Sequence, residues 1–351
     1  MPSILKIFIP SVIAFIIGIV TTPFFTHYFY KWKLWKRTSR LKDNPDEMSA
    51  EFQKIHDEKT EVSTPRVGGI IIWSSVLITI AIIFIAREII GGDFFGKLNF
   101  LSRNQTLIPL LMLVFGGLFG LFEDCVEIFN EKFSFMKQGL PSRYLILIVI
   151  GIAFLVSLWF FGKLGMKDIY IPFLGYWHVG WWFIPIFITV TLGTFSSRVI
   201  DGVDGLAGGV MALIFAAFGV IAFVQNQIDI ATFCFVVTGG ILAFLWFNIP
   251  PARFYMGETG MLGLALSLTC VVFLVDGVFL LPIIGALLVA TSVSSAVQIF
   301  SKRYFGKKIF RIAPLHHHFI ALGWSREKVT MRYWIISIMF AVIGIIIALV
   351  G

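Results

Sequence analysis

Three adjacent histidines, His316, His317 and His318, stand in Ala313-Pro-Leu-His-His-His-Phe319 and make up half of the six in this 351-residue chain. Such residues can move a proton, ligate a metal or hold an anion. Successive helical positions point about 100° apart, so three in a row share a single ion poorly. Helical zinc ligands come four apart instead. Lys307, Lys308 and Arg311 precede the run, which suits the segment to phosphate. Structural hydrogen bonding and a metal are the two other readings.

Carboxylates supply the complementary chemistry. In Gly120-Leu-Phe-Glu-Asp-Cys-Val-Glu127, the acids Glu123, Asp124 and Glu127 share one turn. Like charges at that spacing repel and call for a cation, either a metal ion or a Lys or Arg; a solvated helix end is the plainer reading. In Arg198-Val-Ile-Asp-Gly-Val-Asp-Gly-Leu-Ala-Gly-Gly209, Asp201 and Asp204 fall on one helical face among glycines that let backbone approach a ligand. The later Glu and full spacing of a calcium loop are missing there. The segment Phe244 to Gly260 brings Asn248, Arg253, Tyr255 and Glu258 close together in sequence. Glu258 sits near the start of an apolar block, where a helix dipole favours an anion, and capping alone would also explain it.

The elements that carry these groups are apolar. The chain is 58% hydrophobic and 14% charged, against about 25% charged in a soluble domain. Its apolar blocks reach the roughly 20 residues a helix needs to cross a bilayer, and they show no strand alternation. The expectation is an all-α integral membrane protein, a helical bundle rather than a barrel. Ten spans are predicted near 4–29, 68–90, 105–125, 143–162, 182–199, 205–225, 229–249, 257–275, 279–301 and 331–350. The first is read as a retained helix, too long in its apolar stretch for a signal peptide. Most of the 28 Lys and Arg residues fall in the odd-numbered loops. The positive-inside bias therefore predicts cytoplasmic odd loops and both termini extracytoplasmic. Every acid group then borders a cytoplasmic loop, which argues against a transporter, whose acids belong near the midplane. Cys125, Cys234 and Cys270 are scattered and suggest neither a disulfide framework nor a zinc site. With no repeat or linker, residues 1–351 read as a single polytopic membrane domain.

Clustered acids for a divalent ion, basic groups for phosphates and an aromatic face for a base describe phosphoryl transfer between a soluble nucleotide and a lipid. Magnesium fits, since it takes a few carboxylates together with substrate phosphates. The chain resembles the polyprenyl-phosphate N-acetylhexosamine-1-phosphate transferases over essentially its whole length. Thr64-Pro-Arg-Val-Gly-Gly69 looks like the motif T-P-T-M-G-G, and Asp201-Gly-Val-Asp-Gly-Leu-Ala207 and Trp246-Phe-Asn248 match well. Most specific is Pro314-Leu-His-His-His-Phe319 followed by Gly323-Trp324, where relatives acting on simpler N-acetylhexosamines carry H-x-H-H.

The resemblance implies magnesium-dependent transfer of phospho-N-acetylmuramoyl-pentapeptide from its UDP donor to undecaprenyl phosphate. The products would be lipid I and UMP, at the cytoplasmic face of a bacterial plasma membrane. Membrane lipid and a second copy of the chain, as a homodimer, are the implied macromolecular partners; nucleic acid is not. Carried over by motif, Asp124 is the base, with Glu123, Asp201 and His317 also catalytic, while Glu258 and Asp201 hold Mg2+. Lys59, Asp204, Asn248, Tyr255, His316, His318 and Arg198 bind substrate, Tyr255 stacking on uracil. The four groups are expected to meet in one cleft, with a lipid-facing groove leading into it. Several positions depart from the family pattern: Glu123 and Glu258 stand for Asp, Arg198 for Asn, Arg66 for Thr and Glu127 for Lys, and Lys59 follows His56 with about two extra residues. Another UDP-N-acetylhexosamine donor, or an inactive protein that binds polyprenyl lipid, are the alternatives.

Overall fold

Apolar blocks become helices because only a helix satisfies its own backbone polar groups in hydrocarbon. The computed structural model describes residues 3–36, 63–91, 93–101, 104–129 and 140–351. Lys59 lies outside the described residues. The helices are α1 (Ser3–Lys31), α2 (Ile70–Ile90), α3 (Asp93–Leu98), α4 (Asn104–Ile128), α5 (Ser142–Lys163), α6 (Phe183–Ser196) and α7 (Leu206–Val224). They continue as α8 (Ile228–Asn248), α9 (Gly257–Leu274), α10 (Leu281–Ile284), α11 (Ala286–Phe305), α12 (Leu315–Ala321) and α13 (Arg326–Val350). Among the described residues, nine helical segments are long and apolar enough to cross a membrane, where ten spans were predicted.

The difference lies in the block 279–301. It is helical, but Gly285 separates α10 from α11. In addition, α11 carries Thr291, Ser292, Ser294, Ser295 and Gln298, which dilute its apolar character. A second departure from the all-helical expectation is a short antiparallel hairpin, β1 (Asp168–Ile171) with β2 (Gly175–His178), in the register Asp168 to His178.

Depth in the bundle follows composition. Helix α9 is apolar on every side, as a fully enclosed helix should be, and 94% of its apolar window is buried against 22% for α1. Glycines bring α4 against it. A Cβ added at Gly116 would lie 2.8 Å from Gly263 Cα, and one at Gly120 would lie 2.1 Å from the Glu258 carbonyl oxygen. Small residues at such crossings let two backbones approach. That approach places the end of α4, with Glu123 and Asp124, at the start of α9. Both termini lie at the opposite end of the bundle. The Gly351 carbonyl accepts from Tyr170 Oη and from the Phe173 amide in the hairpin, and Lys6 Nζ pairs with Asp229 Oδ1 at 2.5 Å where α8 begins.

Candidate active site

The first amides of a helix have no partner within it. At the start of α9 they are satisfied by carboxylates from two other elements. Asp201 Oδ2 accepts from the Gly257 amide at 3.0 Å. Asp124 Oδ1 accepts from the Glu258 amide at 3.2 Å, and its Oδ2 accepts from the Thr259 amide at 2.8 Å and hydroxyl at 2.6 Å. Gly257 makes this possible. It has φ +67°, and a Cβ there would meet the Arg66 carbonyl oxygen at 2.0 Å and Asp124 Oδ2 at 2.5 Å.

Three more acids complete the cluster. Glu123, Asp124 and Glu127 each place an oxygen within 4.8 Å of the others. Glu123 is buried, and its Oε2 has no hydrogen-bond partner among the described residues. Glu127 pairs with Lys36 Nζ, and its Oε2 lies 3.7 Å from Arg66 Nη1. Glu258 Oε1 accepts from Arg198 Nη1 at 2.8 Å. The sequence reading asked for either a metal or a basic side chain, and the chain supplies basic side chains. Burial pushes the Asp201 carboxyl up to about 6, opposed by the Arg66 charge and the Gly257 amide.

The loop between α6 and α7 is stapled on both sides. Asp204 Oδ2 accepts from the Ala252 amide at 3.1 Å, and burial raises its pKa. Asn248 Oδ1 accepts from the Gly205 amide at 3.0 Å while its Nδ2 donates to the Phe254 carbonyl at 2.8 Å. Both ends of that amide are therefore engaged by backbone. Tyr255 is tied into the chain before α2, its amide donating to Pro65 O at 2.8 Å and its carbonyl accepting from Gly68. Burial raises the pKa of its phenol.

Of the histidines, two face this loop. A Cβ on Gly202 would meet His316 Nε2 at 3.0 Å and His317 Nε2 at 3.2 Å. The expected divergence of adjacent helical side chains is overcome here, because two side-chain torsions per ring let both reach one glycine. His316 is fully buried, and neither of its ring nitrogens has a hydrogen-bond partner among the described residues. His318 turns away, its Nδ1 accepting from the Arg311 amide at 3.2 Å. Helix α12 hangs on α11. Ser294 Oγ accepts from the Leu315 amide, and Gln298 bonds the Ile309 amide and both backbone polar groups of Phe310.

An apolar groove of about 390 Å³ runs between α6 and α11. It extends from Val278 and Pro282, at the end of the bundle away from the acids, past Gly193 and Val289 to Ser197, the neighbour of Arg198.

The structure thus brings together Glu123, Asp124, Asp201, Glu258 and Arg198, with His316 and His317 beside the Asp201–Asp204 loop. It engages Asn248 and His318 in backbone bonds. Sequence reasoning missed Thr259, Lys36 and Arg326, whose charge acts on Asp204. Only Arg326, placed beside an apolar block, carried any signal.

A bundle of apolar helices with acids, arginines and histidines gathered at one end, and an apolar groove reaching toward it, suits an enzyme working on membrane-bound substrate. Residues 106–276 match a family profile described as glycosyl transferase family 4. The phospho-N-acetylmuramoyl-pentapeptide-transferase of Listeria welshimeri is 34% identical over 340 residues, 96% of each chain. Those of Listeria innocua and Bacillus mycoides are 34% and 33% identical, covering 96% and 95% of each chain. The chain belongs to the phospho-N-acetylmuramoyl-pentapeptide-transferase family and is a phosphoglycosyl transferase.

Proposed function

We propose that this chain transfers phospho-N-acetylmuramoyl-pentapeptide from its UDP donor to undecaprenyl phosphate at the cytoplasmic face of a bacterial plasma membrane, forming lipid I and UMP. One observation carries the reading: acids from α4, the α6–α7 loop and α9 itself meet at the start of α9, close to the end of an apolar groove. The sugar and peptide rest on the names of the relatives. In the reaction, an acceptor phosphate oxygen bonds to the sugar-linked phosphorus of the donor, and the bond from that phosphorus to the bridging oxygen breaks as UMP leaves.

Each side chain has a part. The polyprenyl tail lies in the α6–α11 groove, which delivers its phosphate beside Arg198. Glu123 takes the acceptor's proton, because its Oε2 is buried and unpartnered, whereas both oxygens of Asp124 are spent on α9. Asp124, read from sequence as the base, becomes the residue that positions α9. His317 holds the donor diphosphate, backed by the buried His316 beside the Asp204 loop, and Tyr255 stacks on the uracil, an aromatic contact worth about 1–3 kcal/mol. Asn248 supports the Tyr255 segment through its bond to Phe254. All the ligand candidates are oxygens, and Glu123 Oε2 is a buried oxygen without a hydrogen-bond partner among the described residues, so the residues fit magnesium. Glu258 and Asp201 would hold that ion, whose charge offsets that of the donor diphosphate.

The test is UMP release by purified protein given undecaprenyl phosphate, magnesium and single UDP-sugars. Turnover with the muramoyl-pentapeptide donor, at least a hundredfold above UDP-N-acetylglucosamine, is expected. Turnover confined to UDP-N-acetylglucosamine would move the chain to a different donor, and none with any sugar would leave a lipid-binding protein.

A further inference from the structure

Two acids of the cluster already have cationic partners from this same chain. Glu127 is held by Lys36 and lies near Arg66, three mostly buried side chains from three segments. Glu258 Oε1 accepts from Arg198 Nη1 at 2.8 Å, both side chains being partly buried at 21% and 23% exposure, and the Arg66 charge also acts on Glu258. Arg198 lies over the Phe195 ring at 4.7 Å. Its charge also acts on Glu123. It follows Ser197, where the apolar groove ends. A guanidinium there covers the carboxylate oxygen that a divalent ion would take, and its planar fork suits phosphate as well as carboxylate.

We propose that Arg198 is an internal stand-in for the metal. It holds Glu258 while the site is empty, and a nucleoside diphosphate arriving with the cation draws the guanidinium off the carboxylate and onto phosphate oxygens. This rests on the proposed reaction, in which a metal ion and a UDP donor meet at Glu258. Metal alone must displace the arginine without giving it another anion. Metal with nucleotide exchanges one ion pair for two. The two ligands therefore bind with positive coupling, and the coupling is reciprocal. The departures Arg198 and Glu258 from the family pattern are then one feature: the added cation and the longer acid reach each other directly.

Manganese titrated into the detergent-solubilised full chain, with free ion read by electron paramagnetic resonance, tests this in the presence and absence of UDP. After correction for metal bound by UDP itself, wild-type protein should bind manganese at least tenfold more tightly with UDP. Arg198→Gln should bind manganese alone at least tenfold more tightly than wild type, and its gain from UDP should fall below threefold. Arg198→Lys keeps the charge and should follow wild type. Manganese binding to Arg198→Gln no tighter than wild type overturns the stand-in role and leaves the proposed reaction standing. Absence of coupling in the wild-type protein does the same without any variant, so a misfolded variant cannot shelter the proposal. If wild type and Glu258→Gln bind manganese equally, the metal part of the proposed reaction falls together with it.

Discussion

Glu123 and Asp124 are neighbours of like charge in different surroundings. Asp124 is 1% exposed and accepts three hydrogen bonds from α9. A bond to a charged partner contributes about 1.5–3 kcal/mol, and an amide at this position would turn donors toward the Thr259 amide. Asp124→Asn should therefore cost about 3 kcal/mol of stability, while Glu123→Gln should leave stability near wild type and remove turnover. Thermal unfolding in detergent, read beside UMP release, separates the two. A stable but inactive Asp124→Asn would return the base to Asp124. The residue types of this site were legible in the sequence: every acid singled out there, and two of the three histidines, belong to the cluster or the loop beside it. Their partners were not. Lys36 is one cation among many in a basic stretch, and nothing local marks it as the one that meets Glu127 about ninety positions on. The Asp124 cap is equally invisible, because it joins two helices that only tertiary packing brings together.

At the level of elements, hydropathy located the long helices, since crossing hydrocarbon imposes length and composition together. It served less well where a helix does two jobs. Helix α11 borders the groove on one side and supports the histidine helix on the other, so its Ser294 and Gln298 are polar for a reason that no apolar average contains. The hairpin β1–β2 was missed because four-residue strands are too short for alternation to stand out. Helix α12 offers a test by pH. Burial lowers the His316 pKa from 6.5 to about 3. Between those values the unfolded chain binds a proton that the folded chain refuses, so stability rises with pH and is lost on acidification. The slope approaches about 1.4 kcal/mol per pH unit for a fully shifted group. Asp201, raised to about 6, works in the opposite sense, so the comparison must isolate His316. Unfolding midpoints of wild type and His316→Gln, followed from pH 7 to pH 5, should diverge, with the wild type losing more. Parallel curves would mean that His316 carries a proton in the folded protein.

The whole molecule divides its work between two environments. Long apolar helices make up most of its described length, and the acids, Arg198 and two of the histidines gather at the end where α4, α9 and the loops before α7 and α12 converge. The sequence anticipated this one-sided placement through the positions of its acids and basic loops. The groove was anticipated only in outline, because its walls come from α6 and α11, which are distant in the chain. Its role as the acceptor's path can be tested at Gly193. This residue lines the groove, is exposed, and an added Cβ there meets nothing within 4 Å. Replacing a mid-helix glycine by tryptophan also recovers a propensity cost of about 0.5 kcal/mol, so Gly193→Trp should fold at least as well as wild type. Its indole would project into space that a polyprenyl chain needs. The expected result is an apparent KM for undecaprenyl phosphate raised at least tenfold, with the KM for the UDP donor unchanged. Gly151 serves as the control: it is exposed on α5, outside the groove, and also has nothing within 4 Å of an added Cβ. Gly151→Trp should leave both constants alone. A wild-type acceptor KM in Gly193→Trp would show that the lipid reaches the acids by another face.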